Sequence, residues 1–243
     1  MEWQADGYVL AVRRHGESSA IVDVLTREQG RFVGLVRGAS GKRMRGMLQP
    51  GNLLELRWRA RLSEHLGMFS VEDATSSIAT LLDDPLALSG LIAACSIICM
   101  TLPERESHES IYQTFGILVS QLHNPQVWPA LYIRLETGIL AELGYGLDFS
   151  KCAATGDTQN LTHVSPRTGR AVSATAAKPY LDKLLPLPRF LVDSGAELTG
   201  GDIKRGLALT GYFLERRMLW PVDKQLPDAR ERMIERLTNV DAL

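Results

Sequence analysis

Cysteine is scarce in this chain of 243 residues: only Cys95, Cys99 and Cys152 occur. An odd, small number cannot build a disulfide framework, and the usage fits a reducing compartment. Net charge is nearly absent, with 27 basic residues against 28 acidic ones. No global field therefore draws the chain toward a polyanion, and any such attraction must be local. Long apolar runs are missing too. The best membrane candidate, "LALSGLIAACSIICMTL" at 86–102, barely reaches the minimum span of ~17–20 residues. It contains Ser89, Gly90, Ser96 and Thr101 and lies between Pro85 and Pro103. It reads as a helix in a protein core, and no membrane partner is expected. The first residues, "MEWQADGYVL", lack the basic and apolar regions of a signal peptide, so a cytoplasmic protein is expected.

Catalytic signatures are missing as well. "GASGKR" has the look of a phosphate-binding loop. Val36 stands where that loop needs glycine, however, and Arg43 where it needs serine or threonine. There is no G-x-S-x-G elbow. "HESIY" at His108 lacks a second histidine, and His15, His65, His123 and His163 are scattered. Cys152, in "KCAATG", resembles one arm of a Cys-x-x-Cys zinc knuckle, but Thr155 holds the partner position and no later cysteine follows. No catalytic residue, metal or cofactor is expected, and the chain reads as a non-enzyme.

Positive charge is present, concentrated in one segment. Residues 1–61 hold eleven basic and six acidic side chains, which leaves the remainder with an excess of six acids. Seven of the eleven fall within "RGASGKRMRGMLQPGNLLELRWRAR": Arg37, Lys42, Arg43, Arg45, Arg57, Arg59 and Arg61. The run "NLLELRWRAR" alternates. On a strand Leu54, Leu56, Trp58 and Ala60 share the inner face, with Glu55, Arg57, Arg59 and Arg61 outside. Arginines in a row repel one another, so an anion is expected across that face. Phe32, Trp58 and Phe69 lie among the charges and could stack bases, but a core role is favoured for each.

Five β-rich segments separated by turn signals fill the first ~75 residues and suggest a small barrel or sandwich. After Asp83-Asp84-Pro85 the period becomes helical. Helices are expected over "PLALSGLIAACSIICMTL", "ESIYQTFGILVSQLH" and 129–146, the last with Pro129 in its first turn and Gly144 at its stop. An irregular stretch spans about 148–196, and residues 198–219 read as a last long helix opened by Thr199 or Gly200. The expected domains are 1–80 and 81–243.

Several pieces together resemble RecO-type recombination mediator proteins. They are "DGYVL…GESSAIVDVLTREQGRFVGLVRGASGKR…GMLQPGNLLEL", "LETGILAELGYGLDFSKCAATG" and "HVSPRTGR". The resemblance covers essentially the whole chain. It implies an N-terminal five-stranded OB-fold barrel followed by an α-helical C-terminal domain with a knuckle segment. It also implies DNA recombination and DNA repair after DNA damage, at the nucleoid. The family binds single- and double-stranded DNA, anneals complementary strands and, with RecR, loads the recombinase onto strands coated by single-strand-binding protein. On that basis Arg31, Arg37, Lys42, Arg43, Arg45, Arg57, Arg59 and Arg61 are expected to hold the DNA backbone. The resemblance further implies docking of the C-terminal tail of single-strand-binding protein on the helical domain. Arg134 is the candidate there, with a surface or ion-paired arginine as the alternative. In zinc-bearing members the four cysteines fall at Cys152, Thr155, Ser173 and Ala176, so this chain is expected to be zinc-less. The competing readings are another OB-fold RNA-binding factor and a non-catalytic protein scaffold.

Overall fold

The computed structural model describes residues 1–62, 64–76, 78, 81, 83–193 and 195–240. Two compact units divide the chain at Pro125/Gln126. The boundary expected at residue 80 falls on Thr80, outside the described residues.

In the first unit β1 (Glu2–His15), β2 (Ser19–Thr26), β3 (Gly30–Val36), β4 (Leu53–Arg59) and β5 (Met68–Thr75) are ordered β1-β2-β3-β5-β4. β1 also pairs antiparallel with β4, so the five-stranded sheet closes on itself in an OB-like arrangement. β3 and β5 meet as the single parallel pair of this sheet, at Leu35↔Met68 and Val36↔Phe69. The alternation in β4 is as the sequence requires. Leu54, Leu56 and Trp58 are buried, whereas Glu55, Arg57 and Arg59 are exposed. Val9, Val22, Val24, Phe32 and Phe69 complete the barrel core.

The Gly- and Arg-rich stretch between β3 and β4 contains a short helix, α1 (Lys42–Met47). Its cause lies outside the segment. Asn52 is buried, and its Nδ2 donates to the carbonyls of Gly46 and Met47 at 3.1 and 3.0 Å. Met44 and Met47 pack on the barrel core and turn the basic side chains outward. Two helices complete the unit, α2 (Pro85–Thr101) and α3 (Glu109–Gln121). Asp84 caps α2, its Oδ1 accepting from the amides of Leu86 and Ala87, and Pro85 occupies the first turn. No helix among the described residues is long and apolar enough to cross a membrane.

The second unit holds α4 (Trp128–Glu142), which ends at Gly144 with φ +83°. The segment expected to be irregular is partly ordered. β6 (Leu161–Val164), β7 (Ala171–Ser173) and β8 (Leu185–Pro186) form a small sheet in the order β7-β6-β8, and α5 (Ala174–Ala177) follows β7. α6 (Gly200–Phe213) starts in a capping box. Thr199 Oγ1 donates to Asp202 Oδ2 at 2.6 Å, and the Thr199 amide donates to the same carboxylate. It packs on α4 and widens into a π-helical turn over Leu214–Leu219. It is not the last helix, because α7 (Asp228–Asn239) follows and buries Ala229, Arg230, Met233 and Leu237.

Candidate nucleic-acid interface

The expected basic residues do not form one surface. Arg31 is withdrawn from it. Its guanidinium is 15% exposed and grips Asp23 at 2.6 Å, and its Nη1 donates to the Leu102 carbonyl at 3.1 Å. Burial lifts the Asp23 carboxyl above its usual range, and the Arg31 hydrogen bonds and charge oppose that rise. Arg31 is thus an internal counter-ion, which corrects its assignment to the DNA backbone.

Arg57 and Arg59 lie on the outer face of β4, but that face has its own acids. Arg57 sits 3.6 Å from Glu2 and 3.4 Å from Glu72, and Arg59 donates to Glu2 at 3.1 Å. Asp6 and Asp73 stand directly across from Glu55 on the neighbouring strands. The anion expected across that face is, for Arg57 and Arg59, met within the fold. β1 and β5 supply carboxylates, and exposed pairs of this kind are worth little in stability. Arg61 lies just past β4 and is exposed.

Uncompensated charge is found elsewhere, at the end of the barrel formed by the β1–β2 hairpin and α1. Arg37, Lys42, Arg43 and Arg45 are all exposed, as are Arg13 and Arg14 at the end of β1. Among the described residues, no ion pair neutralises any of the six. The Ser40 amide donates to the Ser18 carbonyl at 3.3 Å, tying the loop before α1 to the hairpin tip. Between them Arg14, Glu17, Ser40, Arg45 and Gln49 line a cleft of about 560 Å³. Six cations against one carboxylate, mounted on a hairpin and a short helix, suit a chain of phosphates. The sequence reading passed over Arg13 and Arg14. The signal was the adjacency of two arginines to the turn "GESS", but the pairing that brings them beside α1 is long-range.

Phe32, Trp58 and Phe69 are core residues, 4%, 2% and 4% exposed. In α2 Cys95 is buried and Cys99 half-buried, and burial drives the Cys95 thiol well up and the Cys99 thiol to about 12, which disfavours the thiolate.

In the second unit Arg134 is exposed. Its Nη2 donates to the Phe190 carbonyl at 2.5 Å, and its guanidinium lies 5.9 Å from the Phe190 ring. Among the described residues no ion pair holds Arg134, and these contacts leave both the tail-docking role and a plain helix-surface role open. Two positions away lies a feature the sequence reading missed. Glu136 is fully buried and accepts from Arg230 at 2.6 and 3.0 Å and from Thr210 Oγ1 at 2.5 Å.

The knuckle residues do not fit zinc. Cys152 Sγ accepts the Ser173 amide at 3.3 Å, Thr155 Oγ1 donates to Asp157 at 2.7 Å, and Ala176 has no donor atom. Among the described residues no group of three or more His, Cys, Asp or Glu side chains is placed to hold a metal. Burial pushes the Cys152 thiol up, but hydrogen bonds from Ser173 and Thr155 outweigh it and bring the thiol down to about 6.

Comparison with known proteins covers both units. Residues 1–77 match the family model "Recombination protein O N terminal" and residues 82–225 match "Recombination protein O C terminal". The chain is 48% identical over 237 residues to the DNA repair protein RecO of Caulobacter sp. (strain K31), covering 98% of each. It is 48% identical to that of Phenylobacterium zucineum (strain HLK1), covering 100% of each. It is 44% identical over 240 residues to that of Methylorubrum extorquens (strain PA1), covering 96% of this chain and 97% of the relative.

Proposed function

Because this chain belongs to the recombination protein O family of DNA repair proteins, we propose that it works as a non-catalytic mediator that holds DNA by its phosphates. The observation that carries this reading is the uncompensated cluster at the barrel end: Arg13, Arg14, Arg37, Lys42, Arg43 and Arg45. Phosphate contacts carry no base code, so binding there tolerates any sequence and accepts single- and double-stranded DNA alike. Two strands brought to one basic surface lose part of their mutual repulsion, which favours annealing of complements. Arg57, Arg59 and Arg61 lie at and beyond the other end of β4, beside Glu2, and add to phosphate binding only outside this cluster, Arg57 and Arg59 by giving up Glu2 and Glu72.

On this reading the protein acts in the cytoplasm at the nucleoid, with RecR and with single-strand-binding protein. Arg134 offers its remaining donors to the acidic tail of the latter. The test is annealing of complementary oligonucleotides precoated with single-strand-binding protein, with and without RecR. Fast annealing that slows as salt rises is expected, and replacing Lys42, Arg43 and Arg45 together by alanine should remove it. Annealing indifferent to salt and to those changes would contradict the reading.

A further inference from the structure

The end of the barrel opposite the basic cluster carries a second site. There Trp3, Phe32, Trp58 and Phe69 meet. Trp3 stacks on Trp58 with ring centroids 5.8 Å apart and planes 18° apart, and Phe32 meets both edge-on at 5.1 Å. Phe32, Trp58 and Phe69 are core residues, but Trp3 is only partly buried. A cleft of about 570 Å³ opens beside it; Trp3, Phe32 and Trp58 line it together with Glu2, Glu64 and Arg105, among others. That volume lies within the ~300–1,000 Å³ typical of small-molecule sites.

The cleft is held open by its frame. Trp58 Nε1 donates to the Leu66 carbonyl at 3.1 Å, and Gly67, at φ +64°, leaves no room for a side chain, since a Cβ there would stand 2.3 Å from that nitrogen. Arg105, also left-handed at φ +65°, donates to the carbonyls of Glu64 and His65 and sets its guanidinium 4.9 Å over Phe32. The rim carboxylate Glu2 is already bonded to Arg59 and close to Arg57.

A partly exposed indole in an apolar slot, with Gln29, Arg105 and the carboxylates of Glu2 and Glu64 at its edge, suits a flat heteroaromatic ring that carries hydrogen-bonding groups. We propose that this cleft takes a single unstacked base of single-stranded DNA, stacked against Trp3. The inference rests on the DNA-binding reading above but uses different residues. Trp3 and Arg14 are eleven positions apart on β1, at ~3.3 Å per position along the strand, so the two sites are separable by mutation.

The experiment compares an oligothymidylate with a strand of the same length and phosphate count in which abasic spacers replace the bases. The protein should bind the oligothymidylate about tenfold more tightly, as stacking of one base supplies, with tryptophan fluorescence quenched by that strand alone. Trp3→Leu, which keeps apolar bulk without a ring, should abolish the preference, and Trp3→Phe should restore part of it. Changing Lys42, Arg43 and Arg45 to alanine should weaken both strands equally and leave the preference intact. Should Trp3→Leu unfold the barrel, the unaltered protein still decides through its preference and quenching. Equal affinity for the two strands, or a preference that survives Trp3→Leu, overturns the base site while phosphate binding stands. Failure to bind either strand overturns both.

Discussion

At the scale of single residues, the charges that matter most to the fold are those the sequence conceals. Arg31 sits beside a basic cluster in sequence, yet its partner Asp23 and its burial make it structural. Glu136 and Arg230 are 94 residues apart, and neither stands out until α4 and α7 are folded. Both are buried, so removing one partner leaves an uncompensated charge. Arg230→Ala should lower stability by ~3–5 kcal/mol in denaturant unfolding, and Glu136→Leu combined with Arg230→Met should cost less than the single change. A loss below about 1 kcal/mol for Arg230→Ala would show that the pair is hydrated.

Cys152 gives a pH signature. Its folded thiol is depressed to about 6 against an ordinary value near 9. A depressed acid adds stability that is complete above the unfolded value and is lost as pH falls through the folded one. The melting-temperature gap between the protein and Cys152→Ser should therefore widen from pH 6 to pH 9. A gap equal at both pH values would mean the thiol stays protonated.

At the scale of elements, much was legible. Strict alternation placed β4 with its apolar side inward, and Asp84-Pro85 announced the start of α2. Helices α1 and α7 escaped, as did β6, β7, β8 and α5. α1 lies in a Gly- and Arg-rich run whose helix depends on Asn52, beyond the segment itself. α7 is so polar that its apolar stripe thins to Ala229, Met233 and Leu237, although their spacing of four was there to read. The basic segment was visible in sequence as a whole. Its division was not, because Glu2 and Glu72 reach Arg57 only through β1 and β5 pairing with β4. The small sheet β6–β8 likewise assembles from strands too short to carry a period. The Ser173 amide bonds Cys152 there and Thr155 bonds Asp157, so a chelator should leave the melting temperature unchanged. Metal analysis should find far less than one zinc per chain, and stoichiometric zinc would contradict this account.

At the scale of the whole molecule, a nearly neutral chain presents strong positive charge at one place, which suits a protein that meets DNA without adhering along its full surface. The measurement that tests this most directly is the slope of log affinity against log salt on a DNA duplex. It would be made for the unaltered protein, for the Lys42→Ala, Arg43→Ala, Arg45→Ala triple variant, and for the Arg57→Ala, Arg59→Ala double variant. Each lost phosphate contact removes about 0.9 from the slope. The triple variant should flatten it by about two to three, and the double variant by less than about one, because Glu2 and Glu72 already hold those arginines. An unchanged slope in the triple variant, or a larger loss in the double one, would contradict the placement of DNA on the hairpin and α1.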